Sequence, residues 1–337
     1  MNFNVTLFNH NERGKASLED VIGIIGNQLY ALGHTTVWDK ADDHFVTRDV
    51  GYNIIVEGFT PVIIDRIKHG YDNGARFICI ATEEPTPQGF NHGRQKEMRW
   101  RQQMFPEAAK YFDAILCLVP GQHVLDWYGQ WQPTAYIELG HAPTLLRKSN
   151  IEPRFDFGFF GSITQRRYQI LKRLRKVYRN ILIVHEFPSQ EERDHAIQHC
   201  KVVLLIKKYE EMEVVSSSRC NTSLNLGRPI LAEPHQHCKP WDEIVHFSRS
   251  MDRFYDDCMF FRVAWNGIYA DQYAKFAAKL TPELCIGEPL RKVGLDMTPP
   301  RLAIPSKPTR SFPQRFEIPT AKKSVANLKS SVLHWAG

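Results

Sequence analysis

Three junctions in the second half of the chain carry residue types suited to an anion. At the first, Gly161 and Ser162 follow an apolar run and precede a basic segment that opens with Arg166 and Arg167. Backbone N–H groups at a helix start bind phosphate, aided by the helix dipole, and guanidinium groups add charge-assisted hydrogen bonds. At the second, Lys207 and Lys208 stand directly after the run 202–206, where a lysine can neutralise charge on a departing group. At the third, Ser216, Ser217 and Ser218 lead into Arg219 and Asn221, and Glu233 follows the short run 229–232. In the first half, carboxylates stand after apolar runs in the same way. Glu83 and Glu84 follow 75–81, Glu12 and His10 follow the opening run, and Glu57 follows 52–56. A carboxylate or histidine so placed can take a proton from a hydroxyl; Glu83 or Glu84 is the first choice and Glu12 the next. His235, His237 and Cys238 lie close together but have no matching distant cluster, so no metal ligand set is assigned.

The elements that must position these groups follow one grammar. In the first half, β-prone runs at 4–9, 35–38, 52–56, 75–81, 114–119 and 134–137 alternate with helical segments at 18–32, 61–69 and 94–109. Ser17 reads as the N-cap of the first helix and Gly33 as the residue that stops it. The second half restarts the pattern, with strands at 156–160, 180–185, 202–206 and 229–232. Helices are expected at 165–178, 190–199 and 216–226, with a helical region at 254–279. Strands joined by helices imply mainly parallel sheets, with ligand loops gathered on one edge. The polar, proline-flanked stretch 142–153 suits a linker, and from 299 to 337 apolar periodicity gives way to a basic, proline-rich tail expected to be flexible.

Two α/β halves of similar size joined by one linker resemble the GT-B glycosyltransferases. Three stretches carry the resemblance: YIELGHAP at 136–143, DFGFFGSITQRR at 156–167 and SSSRCNTSLNLGRPILAEPH at 216–235. The last is similar to the donor signature of bacterial spore-maturation-type glycosyltransferases. The resemblance implies two Rossmann-like domains, at 1–145 on the acceptor side and 154–298 on the nucleotide-sugar side, with a ligand cleft between them. It implies metal-independent transfer of a sugar from a nucleotide-sugar donor to a hydroxyl acceptor, with no cofactor. Gly14, His141, Gly161, Ser162, Arg166, Lys207, Ser218, Arg219, Asn221 and Glu233 would then bind the donor, Glu233 through the ribose hydroxyls. Glu83, Glu84 or Glu12 would activate the acceptor. The family's pair of glutamates in the donor helix is absent; Arg219 and Asn221 stand there, a departure from the retaining-enzyme pattern.

Composition sets outer limits. The chain has 337 residues, 43% hydrophobic and 24% charged, so a packed core is feasible and general disorder is not expected. No apolar run approaches a membrane span, and the first eleven residues lack a basic region followed by an apolar one. Seven cysteines, an odd number without regular spacing, fit a reducing compartment. A cytoplasmic location is therefore expected. The formal net charge of +6 suits an anionic ligand, a phospholipid surface or nucleic acid. The run Arg99–Arg101, near Phe105, admits a second acceptor, a modified base in DNA. A non-catalytic nucleotide-sugar-binding or assembly protein is the third reading.

Overall fold

The computed structural model describes residues 1–7, 12–39, 51–57, 59–93, 96–148, 150–185, 189–212, 214–236 and 238–295. The chain divides into two compact units. The first is Met1–Leu145 joined by the segment that begins at Leu280, and the second begins at Leu146 and ends at Lys279.

The first unit is built on six parallel strands: β1 (Asn2–Leu7), β2 (Thr35–Asp39), β3 (Tyr52–Val56), β4 (Phe77–Ala81), β5 (Ala114–Cys117) and β6 (Thr134–Tyr136). Their spatial order is β2-β1-β3-β4-β5-β6. The helices are α1 (Glu12–Ala31), α2 (Pro61–Asp72), α3 (Lys96–Ala109) and α4 (Gln122–Tyr128). Strands β3 and β4 are buried at every position, which explains why they read as continuous apolar runs rather than alternating ones. Gly33 stops α1 as expected, with φ near +84° and His34 N–H donating to the Leu29 carbonyl. The start of α1 differs from the sequence reading. The helix begins at Glu12, so Gly14 and Ser17 lie inside it, and Ser17 is not its cap. An acidic residue at a helix N-terminus and the helix formers around Gly14 favour the longer helix. Helix α2 also runs through Gly70 rather than stopping there, and α4 was not anticipated.

The second unit has five parallel strands: β7 (Phe155–Phe160), β8 (Ile181–Val184), β9 (Cys200–Leu205), β10 (Ile230–Ala232) and β11 (His246–Phe247), in the order β11-β10-β9-β7-β8. Helices α5 (Gln165–Val177) and α8 (Met251–Lys279) cover one face, packing Ile170, Leu171, Leu174, Phe254, Cys258 and Phe261 on Phe157, Phe159 and Val202. On the other face Ala196 and Ile197 of α6 (Gln190–Gln198) pack with Phe160 and Val203. Helix α7 (Ser217–Asn225) precedes β10. The helical region expected at 254–279 is part of a single 29-residue helix that begins at Met251.

Residues from Leu280, assigned by the sequence reading to the second domain, belong with the first sheet. Ile286, Leu290, Val293 and Leu295, on and around α9 (Glu288–Lys292), enter the same core as Val5, Leu29 and Ile54. The approach is close at Gly140, where an added Cβ would lie 2.4 Å from Cys285 Sγ and 2.5 Å from the Leu280 carbonyl oxygen.

In each unit's own numbering the first five strands run 2-1-3-4-5. The connections leave the first strand in one direction and return on its other side. The loops after strands one and three therefore diverge, leaving a crevice at the carboxyl ends of the strands where doubly wound sheets bind ligands. In the second unit that switch point lies between β7 and β9.

Candidate functional site

At the second unit's switch point, β7 ends in Gly161, whose φ is near +146°. Two guanidinium groups converge on it: a Cβ built there would lie 3.2 Å from Arg219 Nη2 and 3.5 Å from Arg167 Nη1. Thr164 caps α5 by accepting the Arg167 backbone N–H. The Arg167 side chain then turns back to the strand ends. Its Nη1 donates to the Ser162 carbonyl at 2.9 Å, and Nε and Nη2 donate to the Ile206 carbonyl at 3.0 and 2.7 Å. These partners are neutral, and the nearby charge of Glu233, which is held by Arg166, offsets the positive charge only in part. Burial, and after it the charge of Arg219, lower the Arg167 pKa to about 10. Arg219 is half-buried on the first turn of α7, and among the described residues no carboxylate pairs with it. Burial, with the charge of Arg193, also lowers its pKa. Two cations brought together without an ion pair of their own repel one another, and a bound anion removes the penalty.

Arg166 is placed differently. Its Nη1 and Nη2 donate to Glu233 at 2.8 and 2.5 Å, and its Nε donates to Glu210. Glu233 is fully buried and also accepts the Lys207 backbone N–H. The expectation that Glu233 receives ribose hydroxyls is therefore corrected: its carboxylate is turned inward and holds Arg166 in place. Asn221 is corrected too. It is buried in α7, where its amide oxygen accepts Asn225 Nδ2 at 2.8 Å, and so does not line the strand edge. Lys207 is buried with Nζ on the Glu210 carbonyl at 3.0 Å. Ser218 and Ser162 are half-buried near the two arginines' elements, on α7 and directly after Gly161.

The first unit gathers carboxylates at the ends of β3 and β4. Glu57 and Glu83 are both buried and share one guanidinium: Arg101 Nη2 meets Glu57 Oε2 and Arg101 Nη1 meets Glu83 Oε1, each at 2.7 Å. Asn91 donates to the other Glu83 oxygen, and Tyr128 Oη donates to the Glu83 carbonyl at 3.0 Å. Glu57 has φ near +53°, a left-handed backbone conformation unfavourable for a residue with a side chain, and its Oε1 is buried with no hydrogen-bond partner. Glu84 is the accessible carboxylate of the group. His123 Nε2 lies 3.1 Å from its Oε1, and His92 Nε2 lies 4.0 Å from its Oε2. The backbone loop is pinned by Asn91, which donates its N–H to the Glu84 carbonyl at 2.8 Å and accepts the Glu84 N–H at 3.0 Å.

Two carboxylates sharing one guanidinium leave a net negative charge. Burial first, and then the charge of Glu83, raise Glu57 to about 8, with Arg101 opposing. The folded protein thus holds a proton that the unfolded chain releases above about pH 4.5, the ordinary value. This contribution to stability is complete below the unfolded pKa and is lost as pH rises towards 8. Thermal melts from pH 5 to 8 should show the midpoint falling with rising pH, and Glu57→Gln should flatten that slope. An unchanged slope in the variant would place the proton elsewhere.

Sequence reasoning did not find the pairing of Arg101 with Glu57 and Glu83, since these residues come from α3 and two strand ends. It also read Arg99–Arg101 as one basic-aromatic run. Arg101 and Phe105 are in fact buried, and only Arg99 and Trp100 are exposed. Glu12 and Gly14 lie at the start of α1, where only the backbone is described. His141 is half-buried with its pKa lowered by burial, and its backbone N–H donates to Leu280. His10, His237 and the tail 299–337 lie outside the described residues. Among the described residues no group of three His, Cys, Asp or Glu is placed to hold a metal, and no helix is long and apolar enough to cross a membrane.

No known family model matches the chain. An uncharacterized protein of Acanthamoeba polyphaga mimivirus is 32% identical over 85 residues, 24% of this chain and 29% of that protein. The chain therefore spans under a third of the curated relative it matches. Among solved structures, the chain is similar to phage T4 beta-glucosyltransferase. One such structure gives a TM-score of 0.56 at 11% identity, covering 88% of this chain and all of that one. Another, in complex with its UDP-glucose substrate, gives 0.56 at 10% identity with the same coverage. A third holds UDP and Mn2+, with a TM-score of 0.56 at 12% identity, again covering 88% and 100%. At these identities the likeness is one of fold. The chain has the α/β architecture of the GT-B glycosyltransferases, with two parallel sheets in two Rossmann-like units.

Proposed function

We propose that this protein is a glycosyltransferase that moves a sugar from a nucleotide-diphosphate donor to a hydroxyl acceptor. One observation carries the reading: Arg167 and Arg219 meet at Gly161, at the switch point of the second sheet, and among the described residues neither forms an ion pair with a carboxylate. A diphosphate supplies the missing negative charge, and these cations stabilise it as it leaves. Arg166, held by Glu233, and the N-terminus of α5 extend the same anion site. UDP-glucose is the first donor to test, because a solved structure of similar fold contains it. The similarity of residues 216–235 to spore-maturation-type signatures supports the same donor site.

In this reading the acceptor hydroxyl gives its proton to Glu84. Its oxygen bonds to the anomeric carbon as the bond from that carbon to the diphosphate breaks, and the diphosphate leaves with the bonding pair. Glu84 fits because it is solvent-accessible, whereas both oxygens of Glu83 are held by Arg101 and Asn91. His123 orients the carboxylate and relays the proton onward. The reading assigns diphosphate neutralisation to arginines and needs no metal; assays with Mn2+ and with EDTA test that point.

The experiment is a donor panel of UDP-, GDP-, ADP- and TDP-sugars, read by thermal shift and by release of nucleotide. Glu84→Gln should keep the thermal shift and lose about 100-fold or more in nucleotide release. Loss of both would move Glu84 into donor binding. No shift with any donor would reject the reading. A modified base in DNA is the alternative acceptor, supported by the description of a similar structure as a DNA-modifying beta-glucosyltransferase and by exposed Arg99 and Trp100. Transfer to a duplex carrying a hydroxyl-bearing modified base that weakens steeply with salt would favour it.

A further inference from the structure

Helix α8 is unusual for a surface helix in that it is apolar on both sides. Its inner side, with Phe254, Cys258 and Phe261, packs on the second sheet. Its outer side carries Met259, Phe260 and Val263, which are 59%, 64% and 76% exposed. These three lie within little more than one turn and form one patch, continued along the helix by exposed Gly267, Ala270 and Ala274. An exposed apolar patch on a surface helix, bordered by charged residues such as Asp256 and Arg262, marks an interaction site, so this face calls for an occupant.

The neighbouring helix indicates which occupant. Helices α5 and α8 form one layer on the same face of the sheet, joined by Arg173 over the Tyr255 ring at 4.0 Å and by Tyr178 Oη donating to the Tyr255 carbonyl at 3.3 Å. The outward side of α5 and the residues just after it expose Lys172, Arg173, Lys176 and Arg179, and α5 contains no acidic residue. Among the described residues Lys172, Lys176 and Arg179 make no ion pair. Arg262, 4.0 Å from Asp156, stands at the edge of the apolar patch. The acidic groups at the start of α8 are Asp252, which pairs with Arg173, Asp256, beside Arg253, and Asp257, which meets His246. A second copy of this surface would bring like charges together, and nucleic acid would leave the apolar side chains without a partner. An anionic lipid surface satisfies both features, with Met259, Phe260 and Val263 entering the headgroup region and the cations meeting lipid phosphates.

We propose that the outward face of α5 and α8 docks the protein peripherally on anionic phospholipid. The interaction is reversible, since three side chains and a basic flank are far less than a spanning helix. It draws on no residue assigned above to the donor site, so it stands or falls separately from the glycosyltransferase reading.

The test is flotation of the full chain with vesicles of phosphatidylcholine alone and of phosphatidylcholine mixed with phosphatidylserine. Binding is expected only to the mixed vesicles, and it should weaken as salt is raised. Lys172→Gln with Lys176→Gln should lower the partition coefficient about 25-fold, at roughly fivefold per basic residue. Met259→Ser, Phe260→Ser and Val263→Ser together should lower it by at least about tenfold without lowering the melting temperature, because all three side chains face outward. Equal binding to both vesicle types, or binding unchanged in both variants, overturns the proposal. So does a concentration-dependent dimer in lipid-free solution that the triple serine variant abolishes, which would assign the face to a second copy. Retention on duplex DNA in place of vesicles, insensitive to the serine variant, also overturns it.

Discussion

Arg219→Ala is expected to weaken donor binding about 10- to 100-fold while leaving the ligand-free protein as stable as before, or slightly more so. Loss of a charge-assisted hydrogen bond to a phosphate is worth roughly 1.5–3 kcal/mol, which sets that range. The stability half of the prediction follows from the surroundings. Arg219 makes no ion pair among the described residues and sits against Arg167 beside Gly161, so its removal deletes a repulsion rather than a bond. At a donor concentration of about 100 Kd for the unaltered protein, stabilisation of roughly 2.7 kcal/mol should shrink to roughly 0.4–1.4 kcal/mol in the variant. Melting curves with and without donor measure both halves together. A variant that melts lower without ligand would show that Arg219 holds the fold, and the anion-site argument would fail.

The second large effect belongs to Arg101. Replacing it with methionine removes the guanidinium shared by Glu57 and Glu83 and leaves two buried carboxyl groups, with the proton on Glu57, facing each other without a cation. Breaking a buried pair by deleting one partner costs about 3–5 kcal/mol. Burial works against the arginine's charge, but the two glutamates outweigh it and raise its pKa. Urea denaturation at neutral pH should show the loss. Adding Glu57→Gln and Glu83→Gln to the methionine variant should recover most of it, because no buried charge is then left without its partner. A loss under about 1 kcal/mol for the single variant would mean that water reaches the triad and screens it. The same triad fixes the end of β4, from which Glu84 projects, so the variant should also lower turnover.

Parts of this site were legible in the sequence and parts were not, for identifiable reasons. The strand–Gly–Ser–helix junction at 161–167 was readable because an apolar run, a Gly-Ser pair and a basic segment in succession are local signals. Arg219 was readable as a cation near a helix start. That it meets Arg167 at Gly161 was not, since the two residues are 52 positions apart and are joined only by the order of β7 and β9. Glu233 and Asn221 were of the right type for donor contacts, but side-chain direction decided against them. Glu233 turns inward to Arg166, and Asn221 turns under α7.

Alternating apolar runs and helical segments determined by themselves that the chain is α/β with parallel strands, and roughly where every described strand but the two-residue β11 ends. Those are consequences of periodicity and local backbone preference, which neighbouring residues settle among themselves. Tertiary structure alone decided which strand ends stand side by side, which carboxylate of Glu57, Glu83 and Glu84 reaches solvent, and that the segment from Leu280 rejoins the first sheet. Each of these depends on desolvation and charge pairing between residues distant in sequence, and such energies exist only once the chain has closed on itself.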